Sequence, residues 1–367
     1  MAETMFTGLD GEHLLEKLHV LCVEKGASDI HISPQKEGVR LEWRVDGVLR
    51  LLDTLKSDQF EDLLRRVKFM AKLKLNITTL PQDGQYTFDL GGRTVNVRVA
   101  SLPSRFGEAL TLRLLDPNRG ILPLEKLGFP DELKAALAEL VELPNGLVLV
   151  TGPTGSGKTT TLYALLSTIV GKERNIITLE DPVEYEIPGI IQSEIDADRD
   201  YTFASGLRSI LRHDPDVILV GEIRDLETAQ TAVNAALTGH LVLSTLHTNS
   251  AIEALPRLLS MGVSPYTLAP ALRAVLAQRL VRTLSPKCKE EGAACDMSRN
   301  ESYDGQIVIP ELLRVTPAIQ QLILSMEQSA AIEAQARKEG FRSMKEWGAD
   351  LVRDKRTSKE EVERVTM

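Results

Sequence analysis

The most constraining stretch of the chain is an aliphatic run, Leu147-Val148-Leu149-Val150, followed by Thr151 and then Gly152-Pro153-Thr154-Gly155-Ser156-Gly157-Lys158-Thr159-Thr160. The run has the composition of a strand buried on both faces, and residues 152–159 match G-x-x-x-x-G-K-[ST]. Glycines in such a loop let successive N–H groups curl around an anion, and the helix that follows aims its partially positive N-terminus at the same point. Leu162, Tyr163, Leu165, Leu166 and Ile169 supply that helix. The pattern therefore predicts that residues 152–160 bind nucleotide phosphates. Lys158 reaches the β/γ-phosphates and Thr159 places its hydroxyl on Mg²⁺. A Gly-rich structural turn is the weaker reading.

Around this loop, apolar strands and amphipathic helices alternate. Strands fit residues 147–150, 175–180, 217–222 and 240–246, and helices fit 131–140, 158–170, 203–212 and 226–237. That order predicts an α/β fold with a parallel sheet covered on both faces, whose ligands lie beyond the carboxyl ends of the strands. The second strand ends in Glu180-Asp181-Pro182-Val183-Glu184 and the third in Gly221-Glu222-Ile223-Arg224-Asp225, an aliphatic run closing on a carboxylate. His240 and His247 bracket the fourth. A carboxylate beside the phosphates can hold Mg²⁺ through water or orient the attacking water, and a histidine can hydrogen-bond the γ-phosphate. One acidic residue after a strand is most often a helix cap; several on one sheet edge point to a site.

Residues 1–118 read differently. A helix is expected over 10–25 with Gly26 as its cap, then strands meeting at Asp46-Gly47, a helix over 58–75, and a second hairpin turning at Gly91-Gly92. This is a small α+β domain with an antiparallel sheet. Arg93, Arg98, Arg105, Arg113 and Arg119 crowd into one span, with Arg98 out of phase with the flanking valines. A solvated sheet face explains any one of them. The sharper reading is that some reach a phosphate bound by the other domain, as arginine fingers do. Pro117, Gly120 and Pro123 place a linker at 119–126, before an ATPase core over 127–285 and a tail over 286–367.

Bulk properties exclude several classes. With 367 residues, two domains are the natural expectation. A net charge of −9 and 4% aromatic residues argue against wholesale nucleic-acid binding, which rests on clustered cations and stacking rings. No apolar run is long enough to span a bilayer, and Met1-Ala2-Glu3-Thr4 lacks a basic, apolar leader. A cytoplasmic protein without membrane insertion is expected. Three scattered cysteines, Cys22, Cys288 and Cys295, suit a reducing compartment.

The chain resembles the secretion and pilus-assembly ATPases of type II secretion and type IV pili, the GspE/PilB/PilT superfamily. The resemblance rests on Gly26-Ala27-Ser28-Asp29-Ile30-His31, on Arg44-Val45-Asp46-Gly47, and on residues 152–160, 178–184, 208–224 and 238–249. It implies a PAS-like N-terminal domain joined to a RecA-like P-loop ATPase with a helical C-terminal tail. Such proteins form homohexameric rings at the inner face of the cell membrane and engage a polytopic platform protein there. By the same resemblance Glu180 acts on the attacking water, Glu222 serves Mg²⁺ and water, and His240 and His247 sense the γ-phosphate. Arg98 and Arg113 are N-domain arginines that reach the nucleotide, with Arg105 a weaker candidate.

Two departures bear on cofactors and partners. Assembly-type members carry two Cys-x-x-Cys pairs, whereas Ser285 and Cys288 stand at the first pair here and Cys295 and Ser298 at the second. Two thiols are half of a closed zinc site, so no zinc is expected beside ATP and Mg²⁺. By the same resemblance, the long N-terminal extension by which many members dock is expected to be missing. The leading expectation is Mg-ATP hydrolysis driving assembly of a pilus, pseudopilus or competence-type fibre. The alternatives are a retraction motor, a nucleic-acid motor and a nucleotide-gated scaffold with little turnover.

Overall fold

The computed structural model describes residues 5–366 except 7, 292–294 and 298. The N-terminal tetrapeptide and Ser298 thus lie outside the described residues. The chain divides into two compact units, Met1–Gly120 and Ile121–Met367.

The first unit runs α1 (Gly11–Lys25), β1 (Ala27–Pro34), β2 (Val39–Val45), β3 (Val48–Leu55), α2 (Ser57–Met70), β4 (Gln82–Leu90), β5 (Arg93–Ser104), β6 (Gly107–Leu115) and a single turn, α3 (Pro117–Gly120). Its strands form one antiparallel sheet in the order β3-β2-β1-β6-β5-β4. Alternation decides the faces: Val95, Val97, Val99, Leu112, Ile30 and Ile32 pack on Leu14, Leu15 and Leu18 of α1 and on Phe60, Leu63 and Val67 of α2. Each such side chain contributes about 1.5–3 kcal/mol by leaving water. The intervening residues, Arg98 and Arg113 among them, occupy the opposite face.

Helix α1 starts on Asp10, whose carboxylate accepts the His13 N–H at 2.9 Å, and ends where Gly26 turns left-handed at φ 68°. Helix α2 stops at Met70, short of the expected 75. Its last turn carries Lys68, almost fully buried, whose ammonium donates to both Glu108 oxygens at 2.9 Å and to the Ile77 carbonyl at 2.7 Å. Satisfying that buried charge folds residues 71–77 back over the helix end, with Lys72 at φ 59°. Strand β6 was not among the expected strands; Leu110, Leu112 and Leu114 share its buried face with Glu108, while Thr111 and Arg113 alternate onto the other.

The second unit begins with α4 (Asp131–Glu142), β7 (Gly146–Thr151), α5 (Lys158–Ser167), β8 (Ile176–Glu180), β9 (Ile191–Glu194), α6 (Phe203–Ile210), β10 (Val217–Val220), α7 (Leu226–Leu237) and β11 (Leu241–Leu246). It continues with α8 (Ala254–Ser260), α9 (Pro265–Ala271), β12 (Leu272–Leu284), α10 (Pro286–Glu291), β13 (Tyr303–Arg314), α11 (Pro317–Leu324), α12 (Ser329–Lys338), α13 (Met344–Arg353) and α14 (Lys359–Thr366). The sheet order is β13-β12-β7-β11-β10-β8-β9, parallel throughout except where β13 returns antiparallel on β12. Strand residues alternate between two cores: Leu147 and Leu149 face α6, α7 and the C-terminal helices, while Val148 and Val150 face α4 and α5. Both faces are therefore covered, which explains the near-continuous apolar strands. Among the described residues no helix is long and apolar enough to cross a membrane.

Candidate active site

The phosphate loop leaves β7 at Thr151 and enters α5 at Lys158. Gly157 caps the helix in the left-handed region, φ 85°, with no side-chain hydrogen bond to the helix N-terminus. The N–H groups of the first turn thus have no intrahelical or side-chain cap, the arrangement that receives an anion. Gly152 permits close approach: a Cβ there would lie 2.5 Å from Ser156 Oγ and 2.7 Å from the Gln278 carbonyl. Ser156 is 3% exposed, and its hydroxyl has no hydrogen-bond partner among the described residues. An orphaned buried hydroxyl inside an N–H cradle fits a phosphate oxygen.

Lys158 folds back on the loop, donating to the carbonyls of Gly152 at 2.9 Å and Pro153 at 3.1 Å. Burial holds its ammonium below the ordinary lysine range, against the opposing pull of Glu222 and Glu184. Thr151 Oγ1 is shared with Thr248, whose N–H reaches it at 2.9 Å, so the ends of β7 and β11 are clasped.

Parallel pairing brings the other strand ends to the same edge, since Thr151, Leu246, Val220 and Leu179 lie in adjoining registers. Glu222 follows β10 and is held by Arg224 and by His247 Nε2 at 3.3 Å. Arg224 extends to Asp181 at 3.7 Å, linking the ends of β10 and β8. Glu180, 5% exposed, accepts from Thr178 Oγ1 at 2.6 Å, from Gln192 Nε2 at 3.2 Å and from the Tyr163 hydroxyl. Residues 152–160, Glu180, Glu222 and His247 thus share one sheet edge. His240 does not. It precedes β11, with its carbonyl accepting from Gly146 N at the start of β7, and its ring faces the Ala235 carbonyl. A strand of six residues separates it from His247, about 20 Å at the rise of an extended chain. The structure thus does not bring His240 to the edge that holds the phosphate loop.

The loop has a support that local patterning did not reveal. Gln278 of β12 is fully buried, donates from Nε2 to the Ser156 carbonyl at 2.7 Å and accepts from Thr161 Oγ1 at 3.0 Å. A glutamine closing the apolar run Ala274–Ala277 was the available signal, because a buried amide needs partners.

In the first unit, Arg98, Arg113, Asp29 and Arg44 align across β5, β6, β1 and β2. Asp29 is buried. It accepts from Arg113 Nε at 2.9 Å and from Ser28 Oγ at 2.7 Å, and lies 3.8 Å from Arg44 Nε. The carboxylate orients Arg113 while half of that side chain stays exposed. Arg105 is elsewhere: it sits at the β5–β6 turn over the Phe106 ring, about 20 Å along the strand from Arg98. Arg93 pairs with Asp116, and the Arg119 guanidinium packs against Gly26, where a Cβ would lie 1.8 Å away.

The cysteine segment also differs from expectation. Cys288 and Cys295 are joined as a disulfide, with Ser285 Oγ accepting from Cys288 N at 3.4 Å, whereas Cys22 is free and buried.

A phosphate loop on the first strand of a parallel sheet, with carboxylates at the ends of two others, defines a RecA-like P-loop ATPase. The pilus retraction motor PilT with bound ADP has this fold, at TM-score 0.69 and 30% identity over 95% of this chain and 96% of that one. The ATPase DotB of Legionella pneumophila shares the fold at TM-score 0.76 and 22% identity, covering 98% of this chain and 96% of its own. Residues 11–364 match the family model described as Type II/IV secretion system protein, and the chain belongs to that family. Type II secretion system ATPase E of Vibrio cholerae is 46% identical over 94% of this chain and 73% of its own length. Type II secretion system protein HxcR of Pseudomonas aeruginosa is 44% identical over 97% and 78%.

Proposed function

We propose that the chain hydrolyses ATP with Mg²⁺ to power assembly of a type II secretion pseudopilus, a type IV pilus or a competence-type fibre. The observation that carries the catalytic part is the convergence of the N–H cradle, Lys158, Glu180, Glu222 and His247 on one edge of the parallel sheet. Lys158 neutralises charge on the β/γ-phosphates, and it can turn from two loop carbonyls to do so. Glu180 orients and deprotonates the attacking water, and His247 reports the γ-phosphate through its contact with Glu222. The hydroxyl of Thr159 and the carboxylate of Glu222 are hard oxygen donors that suit Mg²⁺. When bound, the ion neutralises charge developing between the β- and γ-phosphates.

The motor part rests on family. Curated relatives at 44–46% identity are type II secretion proteins, which favours assembly over retraction, although PilT, a retraction motor, shares the fold. Arg98 and Arg113 are proposed to reach the phosphates when the first unit closes on the second. Differential binding of ATP and ADP would then bias two orientations and turn hydrolysis into displacement. The proposed assembly is a homohexameric ring on the cytoplasmic face of the inner membrane, engaging a polytopic platform protein, without zinc.

The test is ATP turnover and binding in three proteins. Lys158→Ala should lose binding or turnover, and Glu222→Gln should bind ATP without hydrolysing it. Wild-type turnover in both would remove the catalytic reading, and strong stimulation by single-stranded DNA would replace the motor reading with a nucleic-acid one.

A further inference from the structure

Both oxygens of the Glu180 carboxylate are held by neutral donors from its own strand, from β9 and from α5. Thr178 Oγ1 and Gln192 Nε2 donate to Oε1, at 2.6 and 3.2 Å, and the Tyr163 hydroxyl donates to Oε2. A carboxylate offers about four acceptor positions, two on each oxygen. Oε1 is therefore filled, and the single remaining position is on Oε2, the oxygen that Tyr163 holds. Which lone pair meets a water molecule is decided by the direction of that phenol.

Tyr163 is placed to do this. It is fully buried on α5, its ring stands edge-on to Tyr185 with centroids 6.5 Å apart, and it lies five residues beyond Lys158 in the same helix. Five residues of helix are about 7.5 Å of rigid rise. The N-terminus of α5 carries the phosphate cradle, so the helix is a strut with the phosphates at one end and the Glu180 carboxylate tethered further along. Burial and the neighbouring carboxylate push the phenol far above its usual range, so it stays protonated and remains a donor.

We infer that Tyr163 is a positioning residue for ATP hydrolysis: it ties the Glu180 carboxylate to the phosphate-loop helix and presents one Oε2 lone pair to the attacking water. The inference rests on the proposed role of Glu180 as the group that acts on water. Other charged groups near Glu180 are Glu194, opposite it in the β8–β9 register, Glu184 in the following loop, and the Asp181–Arg224–Glu222 chain with Lys158 beyond. All of these groups remain when only the phenol oxygen is removed, although that oxygen also meets the Glu184 backbone.

The experiment measures kcat and KM for ATP hydrolysis by the full chain for wild type, Tyr163→Phe, Thr178→Val and Glu180→Gln, at one protein concentration, with circular dichroism on each. Tyr163→Phe should lower kcat roughly tenfold, the scale of one hydrogen bond to a charged group, while KM for ATP changes little. Thr178→Val removes a donor from Oε1 and should give a smaller fall in kcat with KM again little changed, which keeps the inference testable if the tyrosine variant folds poorly. Unchanged kcat in Tyr163→Phe, with Glu180→Gln inactive, would overturn the positioning role alone. Substantial hydrolysis by Glu180→Gln would instead overturn the role of Glu180 itself.

Discussion

Replacing Gln278 with leucine tests how far the phosphate loop depends on the strand beside it. The side chain is fully buried and makes two hydrogen bonds, from Nε2 to the Ser156 carbonyl at 2.7 Å and to Oε1 from Thr161 Oγ1 at 3.0 Å. Two neutral hydrogen bonds are worth about 2 kcal/mol net, and a buried carbonyl left without a donor costs a further 1–3 kcal/mol or so. Thr161 can recover part of its loss by turning its hydroxyl to the Gly157 carbonyl one helical turn back, and leucine regains about 1 kcal/mol through its apolar surface. The expected net loss is about 2–3 kcal/mol, small enough for the fold to survive. The consequence for the site is larger than for the fold, because Ser156 belongs to the cradle. ATP affinity should fall about tenfold or more, the equivalent of roughly 1.4 kcal/mol spent re-forming the loop on binding. Urea unfolding followed by circular dichroism and calorimetric titration with ATP read the two quantities separately. An unfolding midpoint and an affinity both equal to wild type would refute the reasoning, since the loop would then need nothing from β12. Gln278→Glu sharpens the comparison: it keeps an acceptor for Thr161 but cannot donate to Ser156 and brings negative charge toward the phosphates. Its affinity should suffer more than its stability.

Other outcomes follow from the first unit. Lys68→Met leaves the buried Glu108 carboxylate uncompensated and should destabilise by about 3–5 kcal/mol in urea unfolding, with Lys68→Met/Glu108→Leu recovering much of the loss. His19 is buried, stacked on Phe88 at 3.9 Å and hydrogen-bonded to the Tyr86 hydroxyl at 2.7 Å, and burial lowers its pKa from 6.5 to about 4. The unfolded chain takes the proton more readily, so this contribution is complete above about pH 6.5 and disappears as pH falls toward 4. It amounts to about 3 kcal/mol at most, and His19→Gln should flatten that part of the stability–pH curve. Arg113→Ala should lower ATP turnover while leaving nucleotide affinity of the second unit nearly intact; full turnover would return Arg113 to an ordinary surface role. Metal analysis of the purified chain should find zinc well below one equivalent, and a full equivalent would overturn the reading of Cys288 and Cys295.

What the sequence alone determined about this protein is what neighbouring residues decide among themselves. Asp10 and Gly26 bound α1, Asp46-Gly47 and Gly91-Gly92 turn two hairpins, and an aliphatic run before a glycine-broken loop makes a strand, a phosphate cradle and a helix. These depend on backbone preferences and hydrogen bonds reaching only a few residues, so spacing reveals them. Alternating valines likewise separated the core face of β5 from the arginine face.

Only the tertiary structure decided which strand ends meet. The order β7-β11-β10-β8 carries Glu222 and Glu180 to the edge that holds the loop, and strand direction puts His247 there while leaving His240 at the other end. Pairing across a hundred or more residues set Gln278 beneath the loop, and the same long-range packing turned Tyr163 from a helix-forming residue into a partner of Glu180. Helix α2 ended early for the same kind of reason, since Lys68 answers to Glu108 forty residues away. A side chain that loses water must find its partner wherever the fold supplies one, and neither identity nor spacing along the chain records where that is.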